Sequence, residues 1–138
     1  MKRFRAIAIA LVLVTLLAAC GGGGGSPTGV VKSFFGALAE FDIEKMKDLT
    51  CSDFRDEMEE AFGFAEMGDL EELADLMKFD FSGLRYEVVS ESGDEAIVRV
   101  HGDMKVEFFG QEQSEPMDEE IPVVKEGGEW KICGGTGF

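Results

Sequence analysis

In AIVRVHGDMKVEFF, residues 96–109, apolar side chains fall on alternate positions. Successive side chains of a strand point to opposite faces, so this alternation predicts a strand with one buried face. Gly102 is the one gap in the apolar series, and a glycine inside a strand is typical of a bulge or a bend. The sequence therefore predicts one long strand, or two strands joined at a bulge. The predicted buried face consists of Ala96, Val98, Val100, Met104, Val106 and Phe108.

Strands are also predicted on both sides of this stretch. LRYEVVS, at 84–90, leads through the turn ESGDE, at 91–95, into the first strand residues. Downstream, EEIPVVKEGGEWKIC, at 119–133, is typical of a hairpin that turns at its two adjacent glycines. These segments together predict an antiparallel sheet of about four strands.

The first half of the chain has helical spacing instead. Ser26, followed by a proline, is placed to cap a helix whose apolar residues recur every three or four positions. Asp42 and Ser52 are placed to cap a second and a third helix, and Asp69 precedes the helical pattern LEELADLM, at 70–77. Helices followed by an antiparallel sheet indicate an α+β fold.

The first 19 residues have the layout of a secretory signal. MKRFR, at 1–5, carries three positive charges, and residues 6–17 are apolar except for Thr15. A membrane-spanning helix is the alternative, but a span needs about 20 apolar residues and this run is shorter.

Residues 17–20, LAAC, resemble the lipobox of bacterial lipoproteins, in which the cysteine receives a diacylglycerol and becomes the new N-terminus. The resemblance implies a signal peptide over residues 1–19, a lipid on Cys20 and a glycine-rich tether that ends at residue 26. A single domain over residues 27–138 follows, since about 112 residues make one ordinary domain. We therefore expect an exported protein that its lipid holds on the extracytoplasmic side of a bacterial cell membrane or envelope.

The charge of the chain argues against nucleic acid as a partner. The full chain has 13 basic and 28 acidic residues and a formal charge of −15. Three of the basic residues belong to the signal, so the mature chain has 10 basic and 28 acidic residues and a formal charge of −18. Nucleic-acid binding needs a basic stripe, and none is present. The clustered acids are interpreted as a solvated surface; a calcium site is the alternative, but no cluster has the ligand pattern of an EF-hand loop.

Two cysteines remain if Cys20 carries lipid. Cys51 and Cys133 would lie in an exported domain, where disulfides form, and we expect them to pair. Two separate buried thiols are the alternative, since Cys133 falls on the opposite strand face from Trp130 and Ile132. No metal site is expected, because two cysteines and one distant histidine lack the usual close ligand spacing.

The opening SPTGVVKSFFGALAEFDIEKMKDLTCSDF, at 26–54, and the closing GGEWKI, at 127–132, resemble a known family. They are similar to the nuclear-transport-factor-like domains of small bacterial lipoproteins of unknown function. The resemblance implies a cone-shaped α+β fold, in which N-terminal helices pack on a curved antiparallel sheet around a cavity. In some relatives the cavity is the active site of an enzyme, and in others it is a binding pocket or an interaction surface. The fold alone therefore does not determine the function.

With this fold, the sequence predicts a non-catalytic module that binds an apolar or amphipathic small ligand or an envelope protein. No cofactor is expected. The alternative for each apolar candidate is that it fills the core. The candidates for lining the cavity are Phe34, Met77, Tyr86, Met104, Phe108 and Trp130.

An isomerase-like or cyclase-like enzyme with an acid–base pair in the cone is the alternative function. Enzymes of this fold use a pocket carboxylate or histidine as the base, and often a tyrosine or an acid as a hydrogen-bond donor. The candidates here are His101, Asp103 and Tyr86. His101 lies opposite the apolar alternation of its strand, and Tyr86 has no evident partner, so no catalytic residue is assigned.

Overall fold

The chain forms four helices and then five strands over the residues that the structure, a computed structural model, describes, which are 25–63 and 70–135. The helices are α1 (Pro27–Ala39), α2 (Ile43–Asp48), α3 (Ser52–Phe62) and α4 (Leu70–Leu76). The strands are β1 (Met77–Asp80), β2 (Leu84–Ser92), β3 (Glu95–Phe108), β4 (Gln111–Glu126) and β5 (Glu129–Ile132). The predicted signal, Cys20 and Asp69 lie outside the described residues. None of the described helices combines the length and the apolar content that crossing a membrane requires.

The sheet is antiparallel and is built around β3. β4 pairs with β3 along its whole length, from Glu95 opposite Val124 to Phe108 opposite Gln111, and β5 pairs with the far side of β4. The other edge of β3 is shared, because β2 pairs with its first half and β1 with its last residues. The predicted α+β order is therefore confirmed, and residues 96–108 of the predicted stretch form one continuous strand rather than two.

Strand β1 was not expected from the sequence. The helical pattern was predicted to extend through Met77, but α4 ends at Leu76 and Met77 is the first residue of β1. Apolar Met77 and Phe79 alternate with exposed Lys78 and Asp80, which is the strand period. Pairing with β3 therefore overrides the helical continuation at this point.

β1 and β2 lie end to end along β3, with a bulge between them. Asp80 opposes Lys105 and Leu84 opposes Gly102, so the three residues at 81–83 face only two residues of β3. One extra residue reverses which positions point inward. As a result, odd-numbered Phe79 in β1 and even-numbered Leu84 in β2 face the same side of the sheet.

The bulge brings two glycines into backbone contact. A Cβ on Gly83 would overlap the carbonyl oxygen of Asp103, and a Cβ on Gly102 would overlap the carbonyl oxygen of Gly83. Gly102 also has a φ of 130°, which side-chain-bearing residues rarely adopt. The gap in the apolar series of β3 is therefore the position at which the edge strands are interrupted.

The core lies between α1 and the inner face of the sheet. Ala96, Val98 and Val100 of β3 are buried, but Phe108 is 47 % exposed, so the predicted buried face does not extend to the end of the strand. Near this end of β3 the ring of Phe41, which follows α1, packs on Phe79, the partner of Val106. Phe108 lies two residues farther along the strand. The buried residues of α1 are Pro27, Val30, Val31, Phe34, Phe35, Ala37 and Leu38.

The segment between α2 and α3 is fastened to β5. The Ile132 amide donates to the Leu49 carbonyl and the Cys51 amide donates to the Ile132 carbonyl, each over 2.8 Å, which makes a bridge between Thr50 and Ile132. Cys51 and Cys133 form a disulfide with Cα atoms 5.2 Å apart. The objection from strand faces does not apply, because Cys133 lies one residue beyond the end of β5. Closing so long a loop stabilises the folded state by about 4 to 5 kcal/mol in the chain-entropy model, because it restricts the unfolded chain.

The first two helix caps match the sequence prediction and the third does not. Ser26 Oγ accepts from the Gly29 amide over 3.0 Å, and Asp42 Oδ1 accepts from the Lys45 amide over 3.1 Å. Ser52 is instead the first residue of α3, after Cys51 at the cap position.

The anion at the start of α3 comes from the sheet. The amide and the hydroxyl of Ser52 both donate to the carboxylate of Glu126, over 3.1 Å and 2.8 Å. Glu126 lies at the end of β4, 74 residues along the chain, and it takes the place of a local cap.

We expect Gly102→Ala to destabilise the protein by about 2 kcal/mol, because the new Cβ meets the Gly83 carbonyl at a strained φ. Urea unfolding of the full chain, followed by the fluorescence of Trp130, the only tryptophan, measures the loss. Gly93→Ala is the matched control, since Gly93 also has a positive φ but has open space at its Cβ position. A loss at Gly102 no larger than the loss at Gly93 would contradict the close approach.

Candidate functional site

A cleft of about 600 Å³ lies between α1 and the edge of the sheet that β1 and β2 form. One wall is the exposed side of α1, and the other comes from β1, the bulge and β2. The lining residues are Lys32, Gly36, Ala39, Phe79, Asp80, Phe81, Ser82, Leu84 and Tyr86.

The α1 wall is flat and carries one charge. Lys32, Gly36 and Ala39 follow one another at spacings of four and three residues, so they share one helix face. No atom lies within 4 Å of the position that a Cβ on Gly36 would take. Gly36 has no side chain and that of Ala39 is a single methyl group, so the middle of this wall is open.

The opposite wall is aromatic. The rings of Phe79 and Phe81 are stacked, with centroids 5.7 Å apart and planes 6° apart. The ring of Phe81 also packs edge to face on the core residue Phe35, with centroids 5.0 Å apart. The ring of Phe79 packs on Phe41, with centroids 5.8 Å apart. Packing on the core ring of Phe35 and on the half-buried ring of Phe41 fixes the positions of the two cleft rings.

Asp80 is held as an anion at the bulge. Its Oδ1 accepts a hydrogen bond from the Ser82 amide over 2.9 Å. Hydrogen bonds from the Ser82 side chain and amide, with a smaller effect of the charge on Lys105, lower the pKa of Asp80. The carboxylate is therefore ionised at neutral pH and is no proton donor.

Tyr86 is the only tyrosine of the chain and is half-buried at the cleft. Burial raises the pKa of its phenol, so the group stays protonated at neutral pH. Over the described residues, no hydrogen bond joins its hydroxyl to another group of the protein, so the phenol is available as a donor.

The three acid–base candidates are not brought together. Tyr86 opposes buried Val100, whereas His101, the next residue along β3, points to the other face of the sheet. There His101 Nε2 lies 4.0 Å from Glu87 Oε2. Asp103 is exposed and is not a lining residue of the cleft.

Tyr86 is also the only one of the six apolar candidates that lines this cleft. Phe34 and Trp130 are buried core residues, which is the alternative that the sequence left open. Met104 packs partly buried against the core, and Met77 is half-buried at the start of β1. Phe108 is exposed beside Phe109 at the β3–β4 turn, because the inner face of the sheet is no longer covered there.

The other eight lining residues were missed by the sequence analysis. The alternation from Met77 through Phe79 to Phe81 is a strand signal, and it would have predicted the aromatic wall. Nothing local identifies Lys32 or Gly36, because their role depends on which strand edge α1 faces. No cluster of residues that could ligate a metal occurs within the described ranges.

Comparisons with known proteins agree with this architecture. A family model described as a domain of unknown function, DUF4878, matches residues 18–133. A search of curated proteins found no match.

Two solved structures are similar in fold. A solution structure of a SEC-C motif containing protein from Rhodopseudomonas palustris shares 25% identity, with a TM-score of 0.56 over 80% of this chain and 77% of the other. A ketosteroid isomerase-like protein from Erwinia carotovora atroseptica shares 18% identity, with a TM-score of 0.53 over 75% of this chain and 88% of the other. The second likeness, with helices packed on a curled antiparallel sheet, confirms the nuclear-transport-factor-like fold that the sequence predicted.

We expect the phenol of Tyr86 to titrate above its ordinary pKa of about 10, because burial penalises the phenolate. An alkaline titration of the near-ultraviolet absorbance reports this group alone, since the chain has one tyrosine. Tyr86→Phe should remove the transition. A midpoint at or below the ordinary value in the folded protein would contradict the half-buried position.

Proposed function

The chain belongs to the DUF4878 family, which is defined by a domain of unknown function, and we propose that its domain is a non-catalytic module that binds an apolar small molecule. The module is carried on an exported lipoprotein. The observation that carries the binding role is the cleft of about 600 Å³ between the flat face of α1 and the stacked rings of Phe79 and Phe81. Binding sites for small molecules are commonly concave, mostly apolar and about 300 to 1,000 Å³ in volume.

The chemistry of the lining supports binding rather than catalysis. A pocket enzyme needs an acid and a base within hydrogen-bond reach of the substrate. Tyr86 stays protonated, and Asp80 is an exposed carboxylate that already accepts a hydrogen bond from Ser82. His101 lies on the opposite face of the sheet. The likeness to a ketosteroid isomerase-like protein is at 18% identity and supports the fold alone.

The lipid anchor is proposed from the start of the chain. The match to the family model begins at residue 18 and therefore includes Cys20. The glycine-rich tether ends at Ser26, which caps α1, so the folded domain begins directly after it. Only six residues separate Cys20 from the first residue of α1, so an anchor at Cys20 would keep the domain close to the membrane. The Cys51–Cys133 disulfide suits an oxidising extracytoplasmic compartment.

We expect Gly36→Leu to weaken binding of 1-naphthaleneacetamide, an uncharged aromatic probe, by about tenfold or more, because the new side chain fills the cleft. Equilibrium dialysis of the full lipidated chain in phosphatidylcholine vesicles measures binding, with protein-free vesicles as the blank. Gly63→Leu is the matched control, since Gly63 at the end of α3 has open space and lies outside the cleft. Equal binding by the wild type and Gly36→Leu, or no binding at all, would contradict a ligand role for this cleft.

We expect Cys20→Ser to leave the signal uncut or to release the protein from the membrane, because only the thiol accepts the lipid. Membrane fractionation and the mass of the chain check this in the native envelope. Ser26→Ala, which leaves the thiol intact, is the control. A serine variant that is still cut and still partitions with membranes would contradict the anchor.

A further inference from the structure

Two hydrogen-bond donors at the cleft have no partner. Within the described residues, the ammonium of Lys32 makes no ion pair, and the hydroxyl of Tyr86 makes no hydrogen bond to the protein. Four other cations are engaged by carboxylates: Lys78, Arg99, Lys105 and Lys131. Lys32 is therefore free to pair with an anionic group of a ligand.

The two donors lie toward the same end of the cleft. Lys32 precedes Phe35 by three residues on α1, so their side chains are neighbours along the helix. The ring of Phe35 lies 6.2 Å from that of Tyr86. The ring of Phe79 lies at the other end, against Phe41 beyond the C-terminus of α1. Lys32 and Tyr86 are therefore neighbours of the same core ring, Phe35, which also contacts Phe81 of the aromatic wall at 5.0 Å.

The cleft lining holds one charge of each sign, Lys32 and Asp80. The Oδ1 of Asp80 already accepts a hydrogen bond from Ser82, whereas Lys32 has no ion pair among the described residues. A cationic ligand would be repelled by Lys32 and would leave both free donors without an acceptor. An anionic ligand supplies acceptors to both donors, and hydrogen bonds between charged groups are the stronger kind.

We propose that the cleft binds an amphipathic organic anion, with its carboxylate at Lys32 and Tyr86 and its apolar body between Gly36 and the rings of Phe79 and Phe81. This inference rests on the proposed binding function and names the class of its ligand. The flat α1 wall and the stacked rings suit a planar or aromatic body. The exposed position of Lys32 places the carboxylate at the mouth, where it keeps part of its hydration.

Three probes that share a naphthalene ring test which ligand charge the cleft prefers. They are 1-naphthaleneacetate, its uncharged amide and the cationic 1-naphthylmethylammonium, each dialysed against the full chain in phosphatidylcholine vesicles. We expect the carboxylate to bind about tenfold more tightly than the amide, and the cation to bind most weakly. Lys32→Gln should abolish this preference, so that the variant binds the carboxylate no more tightly than the amide.

Lys45→Gln is the matched control, because Lys45 is an exposed lysine on α2 outside the cleft, and it should leave all three affinities unchanged. Equal binding of carboxylate and amide, tighter binding of the cation, or a carboxylate preference that survives Lys32→Gln would overturn this inference. These outcomes leave the proposed binding function standing. Failure of all three probes to bind would overturn both.

Discussion

The cleft depends on the close approach of Gly83 and Gly102. Their backbones meet where three residues of the edge strands face two residues of β3. This bulge reverses the inward-facing positions, so that Phe79 before it, Phe81 within it and Tyr86 after it all line the cleft beside α1. Without the extra residue, the side chains of either β1 or β2 that now face the cleft would point to the solvent. The positions of the aromatic wall and of the donor Tyr86 therefore both depend on this contact between the two glycine backbones.

The opposite edge of the sheet is held by several independent contacts. The disulfide, the backbone bridge between Thr50 and Ile132, and the Glu126 carboxylate all join the α2–α3 segment to β4 and β5. Helix α1 is connected to this segment through α2 and packs on the sheet between the two edges. The β4–β5 edge of the sheet is thus joined covalently to the helices, whereas an open cleft lies between the β1–β2 edge and α1.

The elements that the sequence predicted are those specified by nearby residues. Ser26 and Asp42 cap helices through amides three residues away, and the alternation of β3 needs no knowledge of its partners. Ser52 could not be assigned correctly, because its partner Glu126 lies 74 residues away. The cleft was missed for the same reason. Gly36 and Lys32 gain their role only from the strands that α1 faces, and the bulge appears only when β1 and β2 pair with the same edge of β3.

In the proposed complex, an apolar ligand lies between α1 and the bulged edge of the sheet. An NMR titration of the full chain with 1-naphthaleneacetate, followed through its backbone amides, tests this most directly. The largest shifts are predicted at Gly36, Ala39 and Phe81, the residues on the two walls. Shifts confined to the amides of exposed Phe108 and Phe109, with the cleft amides unmoved, would contradict it.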